Sequence, residues 1–388
     1  MDISFAEKST KEIDENTEAL TRSVIARFVD REIIPVAKEI DDNEEFPFPM
    51  FKKLADIGAF GIRYPVEIGG GGGNTTLYNI MCEEIARGSM SLGAITAMQA
   101  LMGTNFIFKF GTPEHHEKYL KPAIRGEKVA AFALTEPDAG TDLNSVRTSA
   151  VRDGDEYVIN GTKTWITNGP VADMFTVLCQ TDRKKGLKGV NFFLIDRNTE
   201  GLSVSPKFDK IGTRASIISE LAFDNVRIPL VNRLGDEGRG IGNLMRILAQ
   251  IRVMTASLSL GLARAAYDDG FRYATEREQF GRPIGKFQAI RMKLATMATE
   301  IEASKHLIQH VTGMIDRGEN ALKEASMAKY FVSEVACRAA DQATRIYGSY
   351  SFSNEYAVSR YYRDTRFLLF GGGTSEILQD VIARQLGL

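Results

Sequence analysis

The sequence predicts an α+β chain in three consecutive parts: an N-terminal helical domain over 1–127, a middle β-barrel or sandwich domain over 128–238, and a C-terminal four-helix bundle over 239–388. Three observations predict it. Apolar residues recur every three to four positions up to about Arg125, short β-branched and aromatic runs take over near Lys128, and helical spacing returns after about Gly240. A chain of 388 residues also exceeds one ordinary core and suits more than one domain.

In the first part, Leu20, Val24, Ile25, Phe28, Val29 and Ile33 mark a helix that Pro35 breaks or kinks, and Phe51, Leu54 and Ile57 repeat the pattern. The run Gly69 to Gly73 interrupts it. No Gly-Lys-Ser/Thr follows, so the run reads as a flexible connection and not as a phosphate loop. Helical stretches then run from about Leu77 to Arg87 and from Leu92 to Phe110. In the middle part the strand-like runs are 157–159, 175–178, 191–195 and 221–223, separated by turn signals at Asp153-Gly154-Asp155 and Glu200-Gly201. In the last part Leu244, Leu248, Ile251, Leu258 and Leu262 mark a long helix. Further helical stretches over 288–316, 319–347 and 374–385 complete what reads as a bundle.

Lys plus Arg (48) nearly balance Asp plus Glu (50), and no long run of like charge appears, which gives no support to a nucleic-acid or anionic-membrane partner. Cys82, Cys179 and Cys337 are odd in number and scattered, which argues for buried thiols in a reducing compartment and against a disulfide framework or a zinc site. The polar start, Met1 to Lys8, lacks the features of a secretory signal or transit peptide, and no apolar run is long enough to span a membrane. A cytoplasmic protein is expected. His306 and His310 lie four apart on a helix without a third ligand nearby, so no metal site is expected, and His115-His116 read as facing solvent.

Two segments stand out for chemistry. Ala133-Leu134-Thr135-Glu136-Pro137-Asp138-Ala139-Gly140-Thr141-Asp142 and Asn160-Gly161-Thr162-Lys163-Thr164-Trp165-Ile166-Thr167-Asn168-Gly169 place hydroxyls, backbone amides and the only tryptophan between strand-like runs. Such a set suits a flat, anionic, redox-active ligand. The bland alternative makes Glu136 and Asp142 loop residues that tie down amides, and Trp165 a core aromatic. With Arg277-Glu278-Gln279-Phe280-Gly281 in the last third, these segments resemble the acyl-CoA dehydrogenase family over essentially the whole chain, in family order.

The resemblance implies an FAD enzyme acting on an acyl-CoA thioester, with an electron-transferring flavoprotein as partner. It implies cofactor contacts from Phe132, Leu134, Thr135, Gly140, Thr141, Trp165 and Thr167. Of these, Thr135 and Thr167 would hydrogen-bond the flavin, Trp165 would pack on it, and Thr141 would lie near both pyrophosphate and substrate. Arg277, Gln279 and Phe280 match positions that reach the cofactor of a neighbouring subunit, which implies a homotetramer. The segment Arg345-Ile346-Tyr347-Gly348-Ser349-Tyr350 departs from the usual glutamine and glycine-rich turn, although Arg345 could pair with phosphate. Gly371-Gly372-Gly373-Thr374-Ser375-Glu376-Ile377 opens a helix whose amino end favours an electron-rich ligand, though alone it reads as a plain helix entry; the resemblance implies that this segment lies beside the flavin, which adds Thr374 and Glu376 to the implied cofactor set.

In the family the latter segment commonly carries the catalytic base. Here the matching position is Gly372, and the alternative position on the first bundle helix is Ile251, followed by Arg252. Neither is an acid, so ordinary α,β-dehydrogenation is in question and the substrate pocket reduces to Thr141, Arg252 and Gly372. Three readings follow. The first is a dehydrogenase with non-standard proton abstraction, for example from a cyclic or unsaturated carboxyl-CoA, with Ser91, Thr96 and Gln99 as weak polar candidates. The second is a desulfinase-like lyase with Arg87 or Arg252 beside the leaving anion. The third is a non-catalytic subunit of a mixed oligomer. Saturated straight-chain thioesters are expected to turn over weakly or not at all, and Gly372→Glu is expected to confer some α,β-elimination.

Overall fold

The computed structural model describes residues 14–388, so the start of the chain read above lies outside the described residues. The N-terminal part holds α1 (Glu15–Phe28), α2 (Ala37–Asn43), α3 (Phe48–Asp56), α4 (Thr75–Gly88), α5 (Met90–Ala97) and α6 (Asn105–Phe110), then the single turns α7 (Pro113–His115) and α8 (Lys121–Ile124). Asn74 opens α4 by accepting from the Leu77 amide, and Ser89 opens α5 by accepting from Leu92, each satisfying an amide that the first helical turn leaves free. Five-residue wide turns at 29–33 and 98–102 follow α1 and α5. The stretch expected to be helical from Leu92 to Phe110 is therefore interrupted.

The middle part carries β1 (Ala130–Ala133), β2 (Ser149–Asp153), β3 (Glu156–Thr167), β4 (Met174–Gln180), β5 (Val190–Asp196), β6 (Leu202–Val204), β7 (Ile218–Pro229) and β8 (Arg233–Leu234). They form one mixed sheet in the order β6-β7-β3-β2-β4-β5-β8, with β1 parallel to β4. β2 and β3 make the hairpin that Asp153-Gly154-Asp155 signalled. The long pair β3 and β7 changes register twice, between Ile159 and Gly161 and between Lys163 and Ile166. Such bulges bend a strand and re-aim its side chains.

The C-terminal part begins with the 37-residue α9 (Gly240–Glu276). A short hairpin of β9 (Glu278–Gln279) and β10 (Arg282–Pro283) leads to α10 (Gln288–Asp316), α11 (Leu322–Tyr347), α12 (Ala357–Leu368) and α13 (Ser375–Gln385). The three long helices pack together as a bundle, and α12 and α13 pack against α11. No helix among the described residues is long and apolar enough to cross a membrane.

Helix α9 also packs on α4, and two features fix their register. A Cβ on Gly261 would lie 2.1 Å from the Glu83 carbonyl oxygen, so the two backbones touch there. Beside it the buried carboxylates of Glu83 and Glu84 take Arg264 (2.5 and 2.6 Å) and Arg22 (2.8 and 2.6 Å), and Glu84 also takes Arg87 (2.9 Å). Buried carboxylates paired and bonded on several sides are costly to disturb one partner at a time. A second joint ties all three parts: the buried Asp41 of α2 accepts from Arg214 (2.9 Å) and Arg363 (2.6 Å), while the Thr213 amide donates to Asp364 of α12 (2.6 Å). Burial raises the Asp364 carboxyl to about 6.

Two expectations change. The glycine run is an ordered, tightly packed turn and not a loose connection: the amides of Gly70 to Gly73 donate to carbonyls of Pro65, Gly61, Tyr64 and Ile62, and a Cβ on Gly70 would sit 2.1 Å from the Tyr64 oxygen. His115 is buried and not solvent-facing, because its ring and the Thr112 hydroxyl close a reciprocal cap on α7. The three cysteines are free and buried.

Gly261→Ala is expected to destabilise the fold by about 1–3 kcal/mol, the usual cost of overpacking a close contact. It should appear as a lower urea midpoint; a midpoint equal to that of the parent would contradict the account of the α4–α9 contact.

Candidate active site

The two segments singled out in the middle part meet. β1 ends at Ala133, and beyond it the Thr135 carbonyl accepts from the Thr164 amide at 2.9 Å, which sets the start of the first segment beside the bulge in β3. At that bulge Trp165 takes a left-handed backbone (φ +61°) and the residue is 62% exposed, so it is not a core aromatic. Among the described residues its ring meets Phe208 edge-on. The hydroxyls of Thr135, Thr141 and Thr167 have no hydrogen-bond partner among the described residues, and nothing lies within 4 Å of where a Gly140 Cβ would be. Leu134 is half-buried. Phe132 differs: its ring is buried against Phe106 and Phe192, so it can offer a ligand only its backbone.

The acids between these groups are structural, as the bland reading had it. Glu136 accepts from the amides of Arg147 (2.7 Å) and Thr148 (2.9 Å) and from Lys163 Nζ (2.8 Å), which is itself buried. Burial would raise the Glu136 carboxyl, but the Lys163 charge and these hydrogen bonds outweigh it and hold it below the ordinary range. Asp142 accepts from the Asn144 amide and the Ser145 hydroxyl. The loop is thus braced by Glu136 and Asp142, while the Thr135 and Thr141 hydroxyls have no hydrogen-bond partner among the described residues.

Arg277, Gln279 and Phe280 sit on the β9–β10 hairpin. Phe280 is 92% exposed with φ +52°, and Arg277 lies over the Tyr350 ring at 5.7 Å. No hydrogen bond or ring contact among the described residues joins this hairpin to the Thr135–Trp165 set. Arg345, near the end of α11, pairs with Asp341 at 2.7 Å on the surface.

The glycine turn before α13 faces α9. A Cβ on Gly372 would lie 3.1 Å from Thr255 Oγ1 and 3.8 Å from Ile251 Cγ2, so the two positions matched to a base are neighbours in space. Thr374 caps α13 by accepting from the Ile377 amide (3.3 Å), and Glu376 is held below the usual carboxylate range by its own amide and the Thr374 hydroxyl. On α9, Arg252 is 5% exposed, donates from Nη1 to Ser326 Oγ (2.7 Å), and leaves Nε without a partner. Burial pushes its guanidinium down to about 10. One helical turn along α11 from Ser326, the fully buried Lys329 donates to the Gly373 carbonyl at 2.6 Å. Burial, opposed by Glu334 and reinforced by Arg252, pushes its ammonium down to about 8.

Among the described residues no hydrogen bond joins the other candidates to this turn. The Gln99 amide is consumed in bonds to Ala123 and Lys128 carbonyls and the Ala130 amide, holding β1 against the wide turn after α5. Ser91 and Thr96 are buried, the Thr96 hydroxyl without a partner. Arg87 is committed to Glu84 and Asp30. Among the described residues no group of three or more His, Cys, Asp or Glu could hold a metal, and His306 pairs with Glu302 on the surface of α10. Sequence reading missed Thr255, Ser326 and Lys329, because the packing of α11 on α9 makes them neighbours of the turn and no local motif marks them.

Family models for the N-terminal, middle and C-terminal domains of acyl-CoA dehydrogenase match residues 15–127, 131–226 and 238–387. The chain belongs to the acyl-CoA dehydrogenase family, oxidoreductases acting on CH–CH bonds whose members use FAD. It is 45% identical to benzylmalonyl-CoA dehydrogenase of Aromatoleum aromaticum over 94% of this chain and 96% of that protein. It is 39% identical to the CarC subunit of the caffeyl-CoA reductase-Etf complex of Acetobacterium woodii, over 95% of this chain and 97% of that one. Butyryl-CoA dehydrogenase of Megasphaera elsdenii superposes with a TM-score of 0.93 at 33% identity, over 97% of this chain and 99% of that one.

The geometry alters the expectation for Gly372→Glu. At φ +75°, and with the Thr255 hydroxyl in the way, a glutamate there is strained, whereas Ile251 offers a regular helical backbone aimed at the same spot. Ile251→Glu is expected to bleach bound flavin with 3-phenylpropionyl-CoA at least about 100-fold faster than the parent, the lower range for a positioned general base. Gly372→Glu should gain less. Bleaching in neither variant would show that the turn does not overlie the reacting carbon.

Proposed function

We propose that the protein is an FAD-dependent dehydrogenase for an aryl-bearing 2-carboxyacyl-CoA, in which departure of the carboxylate replaces removal of a proton from C2. One observation carries this: the side chains nearest a Cβ on Gly372, Ile251 and Thr255, include no acid, the nearby Glu334 carboxylate being held by the Ser375 hydroxyl, while a buried guanidinium without a carboxylate partner follows Ile251 on α9. A saturated thioester would need a base there. A malonyl-type thioester does not, because its C2–carboxylate bond already holds the electron pair. The carboxylate leaves as CO2, that pair becomes the C2–C3 π bond, and a hydride leaves C3. When bound, the flavin supplies the acceptor for that hydride.

The free hydroxyls of Thr135, Thr141 and Thr167, the open approach at Gly140 and the exposed Trp165 ring suit a flavin. Leu134, Thr374 and Glu376 join that set, with Phe132 contributing backbone alone. Names among the relatives support the acyl class: benzylmalonyl-CoA less CO2 and two electrons is a 3-arylacryloyl thioester, and caffeyl-CoA has the same skeleton. A γ-proton or cyclic substrate would still need an acceptor, and Ser91, Thr96 and Gln99 do not supply one. A lyase using Arg87 is disfavoured by that residue's two carboxylate partners.

The exposed hairpin of Arg277, Gln279 and Phe280, with Arg345, favours a homotetramer in which it completes a neighbour's cofactor site. An electron-transferring flavoprotein is the acceptor suggested by the CarC relative. The buried free thiols fit a cytoplasmic setting.

With benzylmalonyl-CoA as probe and a dye acceptor, the purified protein is expected to release one CO2 for each pair of electrons and to form 3-phenylacryloyl-CoA. Oxidation of 3-phenylpropionyl-CoA at an equal rate, or a product that keeps the carboxylate, would contradict the proposal.

A further inference from the structure

Two buried cations lie under the glycine turn, and neither is within ion-pair distance of a carboxylate among the described residues. Arg252 of α9 has only the neutral Ser326 hydroxyl on Nη1 and nothing on Nε; Lys329 of α11 has only the Gly373 carbonyl. Their charges repel each other; at Lys329 the more distant Glu334 and Glu376 offset that repulsion, whereas Arg252 is subject to burial with no acid to offset it. The contrast within the same protein is direct, since the buried side of Arg264 and Arg22 is met by Glu83 and Glu84, and that of Arg214 and Arg363 by Asp41. Burying charge without a counter-charge is costly, and such groups are ordinarily paired. An arginine that lacks an acid here therefore has capacity for an anionic ligand, and its planar fork matches a carboxylate.

We propose that Arg252 is the specificity-determining contact for the C2 carboxylate of the substrate, with Lys329 as the positioning residue that fixes the Gly371–Gly373 turn and adds a second positive charge behind it. This deepens the proposed function and rests on it. Three features support the assignment. Arg252 follows Ile251 directly, so the guanidinium and the side chain facing Gly372 leave α9 about a third of a turn apart. Ser326 and Lys329 are three residues apart on α11 and so share a face, which presents both to the turn and to α9. The Lys329 bond to Gly373 holds the loop in the conformation where a Cβ on Gly372 would crowd Thr255, keeping the place small and without a base.

A cation tightly paired with a carboxylate stabilises the bound ground state, so it selects and orients the substrate without itself accelerating loss of CO2. Truncating it should raise KM much more than it lowers kcat.

Binding to the dithionite-reduced holoenzyme, which has no oxidising equivalent, separates recognition from turnover. Wild-type protein is expected to bind benzylmalonyl-CoA at least about 30-fold more tightly than 3-phenylpropionyl-CoA, the lower range for a buried charge pair. Arg252→Met should bring that ratio to about one while binding 3-phenylpropionyl-CoA within about twofold of wild type, because only the carboxylate contact is lost. Arg252→Lys should restore part of the ratio, and Lys329→Met should reduce it less than Arg252→Met does. A wild-type ratio near one, or an Arg252→Met variant that keeps the ratio or loses both ligands equally, would overturn the anion site. If the ratio behaves as expected and oxidised wild-type enzyme releases no CO2, the anion site stands and the decarboxylating function is wrong.

Discussion

The register of α9 against α4 is the constraint on which the rest depends. Gly261 brings the two backbones into contact at the Glu83 carbonyl, and the buried Glu83 and Glu84 carboxylates grip Arg264 one turn further on. Close-packed helices settle into discrete registers because side chains fill each other's gaps. With α9 held so, Ile251 and Thr255 fall opposite the glycine turn and Arg252 falls against Ser326 of α11. The Asp41 and Asp364 joint adds the middle part to the same frame, because α12 leads directly into Gly371. A site assembled from separate elements is therefore set by helix packing, and loops contribute little freedom to it.

Electrostatics then divides the buried charges into two kinds. The Glu83–Glu84 cluster, the Asp41 joint and the Lys163–Glu136 pair are closed sets in which acids and bases satisfy each other. Arg252 and Lys329 form an open set: no carboxylate lies within ion-pair distance of either among the described residues, and only Lys329 feels Glu334 and Glu376 from further off. In a family whose members use FAD to oxidise CH–CH bonds, an open set beside a position lacking a base has a simple chemical meaning. Under the proposed function, the substrate would bring the carboxylate that Arg252 lacks. Such an enzyme would dispense with a proton acceptor, since the bond that breaks at C2 would be a carbon–carbon bond.

The sequence made much of this legible, and the gaps have physical causes. The ranges of α10 and α13 and the presence of a long α9 follow from apolar spacing, and β-branched and aromatic runs mark the bodies of β4 and β5 and short pieces of the twelve-residue β3 and β7. β1 escaped notice because Ala130, Ala131 and Ala133 carry no strand preference and are held there by Gln99 and by pairing with β4. α12 escaped because Arg360, Tyr361, Tyr362, Arg363, Asp364 and Arg366 hide its few apolar positions, and its burial depends on tertiary ion pairs. Gly372 and Ile251 stood out as missing acids only through the family resemblance. Lys329 and Ser326 did not, since nothing within α11 distinguishes two polar residues on a buried face until α9 is placed beside it.

The most direct measurement of the central claim follows one hydrogen. A 2-carboxyacyl thioester such as benzylmalonyl-CoA labelled with deuterium at C2 loses that label if a proton is taken there, and keeps it if CO2 departs in its place. The account predicts that 3-phenylacryloyl-CoA formed from it retains the deuterium at C2. Product stripped of the label, with the carboxylate still attached, would show that a base is at work and would contradict it.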